Sequence, residues 1–128
     1  MKKILLAIDD EKSILSILEY IFEKKYNVIN KPNGKEALAW MQEGNLPDVI
    51  VSDVLMPEMD GFEFMKQKQS SGFFKDIPLI ILSSNENSTD KIKFLCSGAD
   101  DYMVKPFNPQ ELDIRVNNLL KRVDKTYA

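Results

Sequence analysis

Asp9, Asp10, Asp53, Ser83 and Lys105 are the side chains of this sequence best suited to chemistry. The 128 residues include no histidine and a single cysteine, Cys96. Triads that need a histidine base are excluded, as are most zinc sites. Cys96 has no partner for an internal disulfide, which fits a reducing cytosol, and its plain reading is a small buried hydrophobe. Carboxylates, hydroxyls and lysine remain. Three carboxylates held together repel, and at least one acquires a raised pKa unless a cation neutralises them. A hard divalent ion such as Mg²⁺ meets that need with carboxylate, carbonyl and water ligands. A fixed charge at Lys105 and a small donor at Ser83 turn such a cluster into a site for a phosphoryl group. No histidine or cysteine stands in the cluster as nucleophile, so a carboxylate must attack phosphorus and give an acyl phosphate.

These residues lie far apart in the chain, so the fold has to gather them. Five short apolar runs alternate with helical patterns. Lys3 to Ile8, Asp48 to Ser52 and Leu79 to Ser83 are continuous in Val, Ile and Leu, as parallel strands covered on both faces are. Tyr26 to Asn30 and Asp101 to Val104 are more polar and fit places nearer a sheet edge. The helical stretches carry apolar residues at 3.6-residue spacing. Ile14, Leu18, Ile21 and Phe22 mark the first; Ala37, Leu38 and Met41 the second; Phe62, Phe64 and Met65, followed by the charged Lys66, begin the third; Ile92, Leu95 and Cys96 mark the fourth; and Leu112, Val116, Leu119, Leu120 and Val123 the fifth. Trp40 lies off its stripe and is expected to be partly exposed. Asn108, Pro109 and Glu111 read as an N-cap, a first-turn proline and a favourable acid. Alternating β and α elements predict a three-layer α/β/α sandwich around a parallel sheet.

Ligands of such folds bind beyond the carboxyl ends of the strands. The residues at those ends are Asp9, Asp10 and Glu11; then Asp53; then Ser83 and Ser84; then Lys105 and Pro106. Singly, each has an ordinary explanation. Asp10 or Glu11 would cap the first helix, Asp53 and Lys105-Pro106 would make turns, and Ser83 would end a strand. Their joint occurrence at four strand ends is what ordinary explanations do not cover.

The segments Leu5-Leu6-Ala7-Ile8-Asp9-Asp10-Glu11, Pro47 to Gly61, Ile77 to Ser84 and Gly98 to Phe107 closely resemble the receiver domains of two-component response regulators, over essentially the whole chain. The resemblance implies a flavodoxin-like (βα)5 fold with strand order 2-1-3-4-5. It makes Asp53 the phosphoacceptor and Lys105 a contact to the phosphoryl group, with a cis bond to Pro106. It gives Mg²⁺, or Mn²⁺ in its place, to Asp10, Asp53 and the backbone carbonyl of Leu55, with Asp9 reaching the metal through water. Ser83 takes the place of the hydroxyl switch and Tyr102 that of the aromatic switch, which turns inward on activation and reshapes the face of the fourth helix, fifth strand and fifth helix. Leu55 and Asn85 stand at positions that tune phosphoryl lifetime. The implied partners are a sensor histidine kinase or histidine phosphotransfer protein and a downstream effector. The domain itself turns over no separate substrate.

Rival classes meet specific obstacles. A haloacid-dehalogenase-type phosphatase wants a second aspartate two residues after the first, where Leu55 stands. A flavin module wants a Ser/Thr/Gly-rich loop where Asp9, Asp10 and Glu11 would repel phosphate. A receiver that signals without phosphate usually lacks an acidic or lysine position that is present here. Formal charge of −3 and pI near 5.0 argue against direct nucleic-acid contact. The opening apolar run is too short, and meets Asp9 too soon, for export or membrane spanning. Residues 1–123 are expected to form the receiver domain, with 124–128 a tail or the start of a linker. The expected state is a cytoplasmic monomer, or a dimer on phosphorylation.

Overall fold

The computed structural model describes residues 2–84 and 87–127. Five strands alternate with five helices: β1 (Lys3–Ile8), α1 (Lys12–Phe22), β2 (Tyr26–Lys31), α2 (Gly34–Gln42), β3 (Val49–Asp53), α3 (Gly61–Gln69), β4 (Leu79–Ser83), α4 (Ser88–Ser97), β5 (Asp101–Val104) and α5 (Pro109–Tyr127). The strands pair in parallel in the order β2-β1-β3-β4-β5. The more polar runs β2 and β5 are the two edges, and the fully buried β3 and β4 lie inside.

Alternation of side chains along each strand divides the core into two layers. Leu5, Ala7, Val49, Val51, Ile80, Leu82 and Met103 face α1 and α5, where they meet Leu18, Phe22, Leu112 and Val116. Leu6, Ile8, Ile50, Ile81 and Tyr102 face α2, α3 and α4, where they meet Ala37, Met41, Phe64, Met65 and Phe94. Each buried leucine contributes on the order of 2–5 kcal/mol against truncation to alanine. The two layers fix the strand ends at the carboxyl edge of the sheet.

The start of α5 agrees with its sequence signal. Asn108 Oδ1 accepts from the Gln110 and Glu111 amides (2.8 and 3.1 Å), as the Asn-Pro-x-Glu pattern predicts. Asn33 and Asp60 cap α2 and α3 in the same way, accepting from Glu36 N and Glu63 N. Asp48 ends the approach to β3 twice over: its amide donates to the Ile4 carbonyl, and its Oδ2 accepts from Ile4 N at 2.7 Å. Helix α5 runs without a break through residue 124 to Tyr127. Trp40 is half-buried.

The fourth helix departs from expectation. Its buried side chain is Phe94, whereas Ile92 is 59% and Leu95 38% exposed, and Cys96 is exposed as well. Cys96 is therefore no buried hydrophobe. A ten-residue helix over the outer strands has room for one narrow line of contact, and Phe94, beside Tyr102, is large enough to supply it.

Candidate functional site

At the carboxyl edge, β1 delivers Asp9, β3 delivers Asp53 as its last residue, β4 delivers Ser83, and the turn after β5 delivers Lys105. Asp9 is almost completely buried and uses both oxygens: Oδ1 accepts from Glu11 N (2.9 Å) and Oδ2 from Lys105 Nζ (2.9 Å). The α1 cap at Glu11 makes no side-chain hydrogen bond, so neither Asp10 nor Glu11 serves as the capping acceptor. Asp10 stands exposed beside the buried pair. Carboxylate oxygens of Asp9, Asp10 and Asp53 lie within 4.8 Å of one another.

Asp53 is 8% exposed. Its Oδ1 accepts from Val54 N at 2.8 Å and sits 3.1 Å from Lys105 Nζ, leaving Oδ2 clear of protein donors among the described residues. Burial first, and then the Asp9 charge, raise its pKa above the usual carboxylate value; Lys105 and the Val54 amide pull the other way without winning. Burial lowers the Lys105 ammonium, but its bond to Asp9 and the charge of Asp53 outweigh that, and its pKa ends raised. Two buried carboxylates and one exposed one share a single lysine, so the cluster retains negative charge. Three hard oxygen donors in that arrangement suit Mg²⁺ or Mn²⁺.

Backbone contacts hold the acceptor. The Gly61 amide donates to the Val54 carbonyl at 2.7 Å, and a Cβ on Gly61 would lie 2.3 Å from the Asp53 carbonyl oxygen. The chain between them turns through Glu58, a non-glycine residue at φ 68. Lys105 N donates to the Ser83 carbonyl at 2.7 Å, and the Lys105–Pro106 bond is cis. Ser83 is buried, and with Asp53, Val54, Leu55, Ser84 and Asp90 it lines a cavity of about 80 Å³. The Leu55 side chain is 75% exposed at the rim. Tyr102 is turned inward, 4% exposed, with its ring 6.0 Å from that of Phe94. Asn85, expected to tune phosphoryl lifetime, lies outside the described residues.

One residue here, and one in α3 outside the site, escape a reading of the sequence. Asp90 reaches the cavity from the first turn of α4, and only the Asn87 cap before it hints at where that turn begins. Lys68 is completely buried in α3, in register with Gly61, Phe64 and Met65. Its place at the next apolar position of that helix is a signal that a charged side chain hides.

A parallel sheet of this order, with an aspartate-lysine cluster at its carboxyl edge, defines a class of signalling domain, and the comparisons with known proteins agree. Residues 5–117 match the response regulator receiver domain model, and the chain belongs to that family. It is 42% identical over 123 residues to the alkaline phosphatase synthesis transcriptional regulatory protein PhoP of Bacillus subtilis, covering 95% of this chain and 50% of PhoP. The chain thus spans about half the length of the curated relatives it matches. Among solved structures, the receiver domain of the Francisella response regulator 1452 superposes with a TM-score of 0.87 at 39% identity, covering 95% of this chain and 99% of that one. The chemotaxis response regulator CheY4 of Vibrio cholerae gives a TM-score of 0.86 at 34% identity, covering 93% and 99%. Among the described residues, no helix is long and apolar enough to cross a membrane.

Proposed function

We propose that this receiver domain is a cytoplasmic switch in which Asp53 accepts a phosphoryl group from a sensor histidine kinase or histidine phosphotransfer protein. One observation carries the reading: Lys105 Nζ bridges Asp9 Oδ2 at 2.9 Å and Asp53 Oδ1 at 3.1 Å, beside the exposed Asp10. Asp10, Asp53 and the Leu55 carbonyl would hold Mg²⁺, with Asp9 behind them through water. The metal would supply charge that screens one anion's approach to another.

In the transfer, an Asp53 carboxylate oxygen bonds to phosphorus as the bond to the donor's leaving atom breaks, giving an aspartyl phosphate and the free donor. Lys105, held in place by Asp9, stabilises the transferred oxygens, and Ser83 donates its hydroxyl to one of them. Leu55 at the rim slows the water that would hydrolyse the product. The new charge draws Ser83 toward the phosphoryl group, favours the inward Tyr102, and alters the surface of α4, β5 and α5. A downstream effector reads that surface. Resemblance to a transcriptional regulatory protein twice this length suggests an effector that acts on transcription, while the acidic charge of this chain keeps the receiver itself off nucleic acid. Dimerisation through the same surface would follow phosphorylation.

Intact mass after incubation with Mg²⁺ and acetyl phosphate tests the reading, with Asp53→Asn alongside. The expected result is one added phosphoryl group that needs Mg²⁺ and is absent from the variant. If neither an adduct nor binding of beryllofluoride, a phosphoryl mimic, can be detected, the reading is wrong.

A further inference from the structure

Phe62 is the second residue of α3, one position past the Gly61 whose backbone presses on Asp53. Its ring meets Phe94 of α4 edge to face, with centroids 5.4 Å apart and planes at 86°. Phe94 in turn tilts at 42° against Tyr102 of β5, 6.0 Å away. Three aromatic rings therefore run from the acceptor loop, through α4, to the inward tyrosine. On the outer ring rides a cation: Lys93 Nζ, also from α4, stands 4.0 Å from the Phe62 centroid.

We propose that Phe62 is a positioning residue for the switch, holding Phe94 where it forms a wall for the inward Tyr102. The inference rests on the reading of Tyr102 as the switch residue. Edge-to-face pairs are directional, and their energy depends on where each ring sits. Phe94 is 3% exposed in a close-packed layer, so it cannot drift without its neighbours moving too. When Tyr102 leaves, Phe94 loses one of its two aromatic partners. When Phe62 is absent, the wall against which Tyr102 rests is loosened. Lys93 gives α4 a second hold on the same ring, so the position of α4 is tied to Phe62 as well as to the sheet. This route to Tyr102 starts at the backbone beside Asp53 and does not pass through the Ser83 hydroxyl.

A ligand that favours the inward state must bind less tightly when that state costs more to reach. Beryllofluoride affinity, titrated by ¹⁹F NMR in Mg²⁺, is the readout. Phe62→Leu keeps the apolar volume but removes the ring, and should weaken binding about fivefold, the lower end of coupling between sites. Lys93→Met keeps the stem and removes the charge, and should weaken it about twofold. In a Tyr102→Ala background, Phe62→Leu should have no further effect, which a merely structural role would not predict. If wild type binds and Phe62→Leu binds equally well, the inference is overturned while the proposed function stands. An equal loss with and without Tyr102 also overturns it, since Phe62 would then act on the acceptor loop alone. No binding by wild type would overturn this inference, and if no phosphoryl adduct formed either, the proposed function with it. Should Phe62→Leu fail to fold, the surface variant Lys93→Met, with and without Tyr102, decides the matter by the same criteria.

Discussion

Replacing Lys68 with methionine should make the domain more stable at neutral pH. Lys68 is 0% exposed, and its ammonium donates to Gln69 Oε1 at 2.8 Å and to the Lys75 carbonyl at 3.0 Å. Burial lowers its pKa from 10.5 to about 8, although the carboxylates of Asp100 and Asp76 work in the opposite direction. At about 1.4 kcal/mol per pH unit, that gap corresponds to about 3 kcal/mol spent on keeping the group charged in the folded state. Below pH 8 the lysine is protonated in both states, and folding carries the whole cost. Between pH 8 and 10.5 only the unfolded chain keeps the proton, so wild-type stability rises with pH. Methionine fills the same space without charge, but it strands two acceptors at about 1 kcal/mol each. The variant should then gain about 1 kcal/mol at pH 7. By pH 9.5 the wild type recovers about 2 kcal/mol, and the difference should vanish or change sign. Lys25, Lys105, Arg115 and Tyr26, all with raised pKa values, are common to both proteins and drop out of the difference. Urea unfolding at half-unit steps from pH 7 to 9.5 measures it. A difference that stays flat across that range would refute the reasoning.

Three other substitutions test separate parts of the structure. Gly61→Ala should cost at least about 2 kcal/mol by urea unfolding and lower the extent of Asp53 phosphorylation, because the new Cβ meets the Asp53 carbonyl at 2.3 Å, and backbone does not yield as a flexible side chain does. Asp60→Ala should cost about 1 kcal/mol of stability by removing the acceptor for Glu63 N, without changing the yield of phosphorylated protein. Lys105→Met should destabilise by about 3 kcal/mol, since it leaves the buried Asp9 carboxylate unpaired. Added Mg²⁺ should recover part of that loss in thermal unfolding if the three aspartates bind it.

Much of the architecture is legible in the sequence because it depends on local pattern. Runs such as Leu-Ile-Ile-Leu at 79–82, short and bounded by turn signals, fit a strand buried on both faces, and the Asn108 cap is written in three residues. The gathering of Asp9, Asp53, Ser83 and Lys105 results from strand ends sharing one edge. The order of the strands, by contrast, came from resemblance, because pairing between distant segments leaves no local mark. Periodicity also misled at α4, where Ile92, Leu95 and Cys96 form an apolar stripe that the fold leaves exposed. A period shows that a helix has an apolar side, but not whether another element covers it. Lys68 failed in the opposite direction. A lysine looks like surface until the chain's return to β4 brings the carbonyl of Lys75 and the carboxylate of Asp76 around it, and its return to β5 brings that of Asp100.

The division of the core by the sheet also bears on how such a domain can diverge. Residues pointing toward α1 and α5 share no packed layer with those pointing toward α2, α3 and α4, so a change of volume on one side is absorbed there. Stability effects of substitutions in the two layers should add, as they do for sites without common neighbours. Successive residues of β5 are split between the layers, Tyr102 to one and Met103 to the other. A lineage can thus remodel the helices on one side of the sheet, and whatever they recognise, while the packing of the opposite side is inherited unchanged.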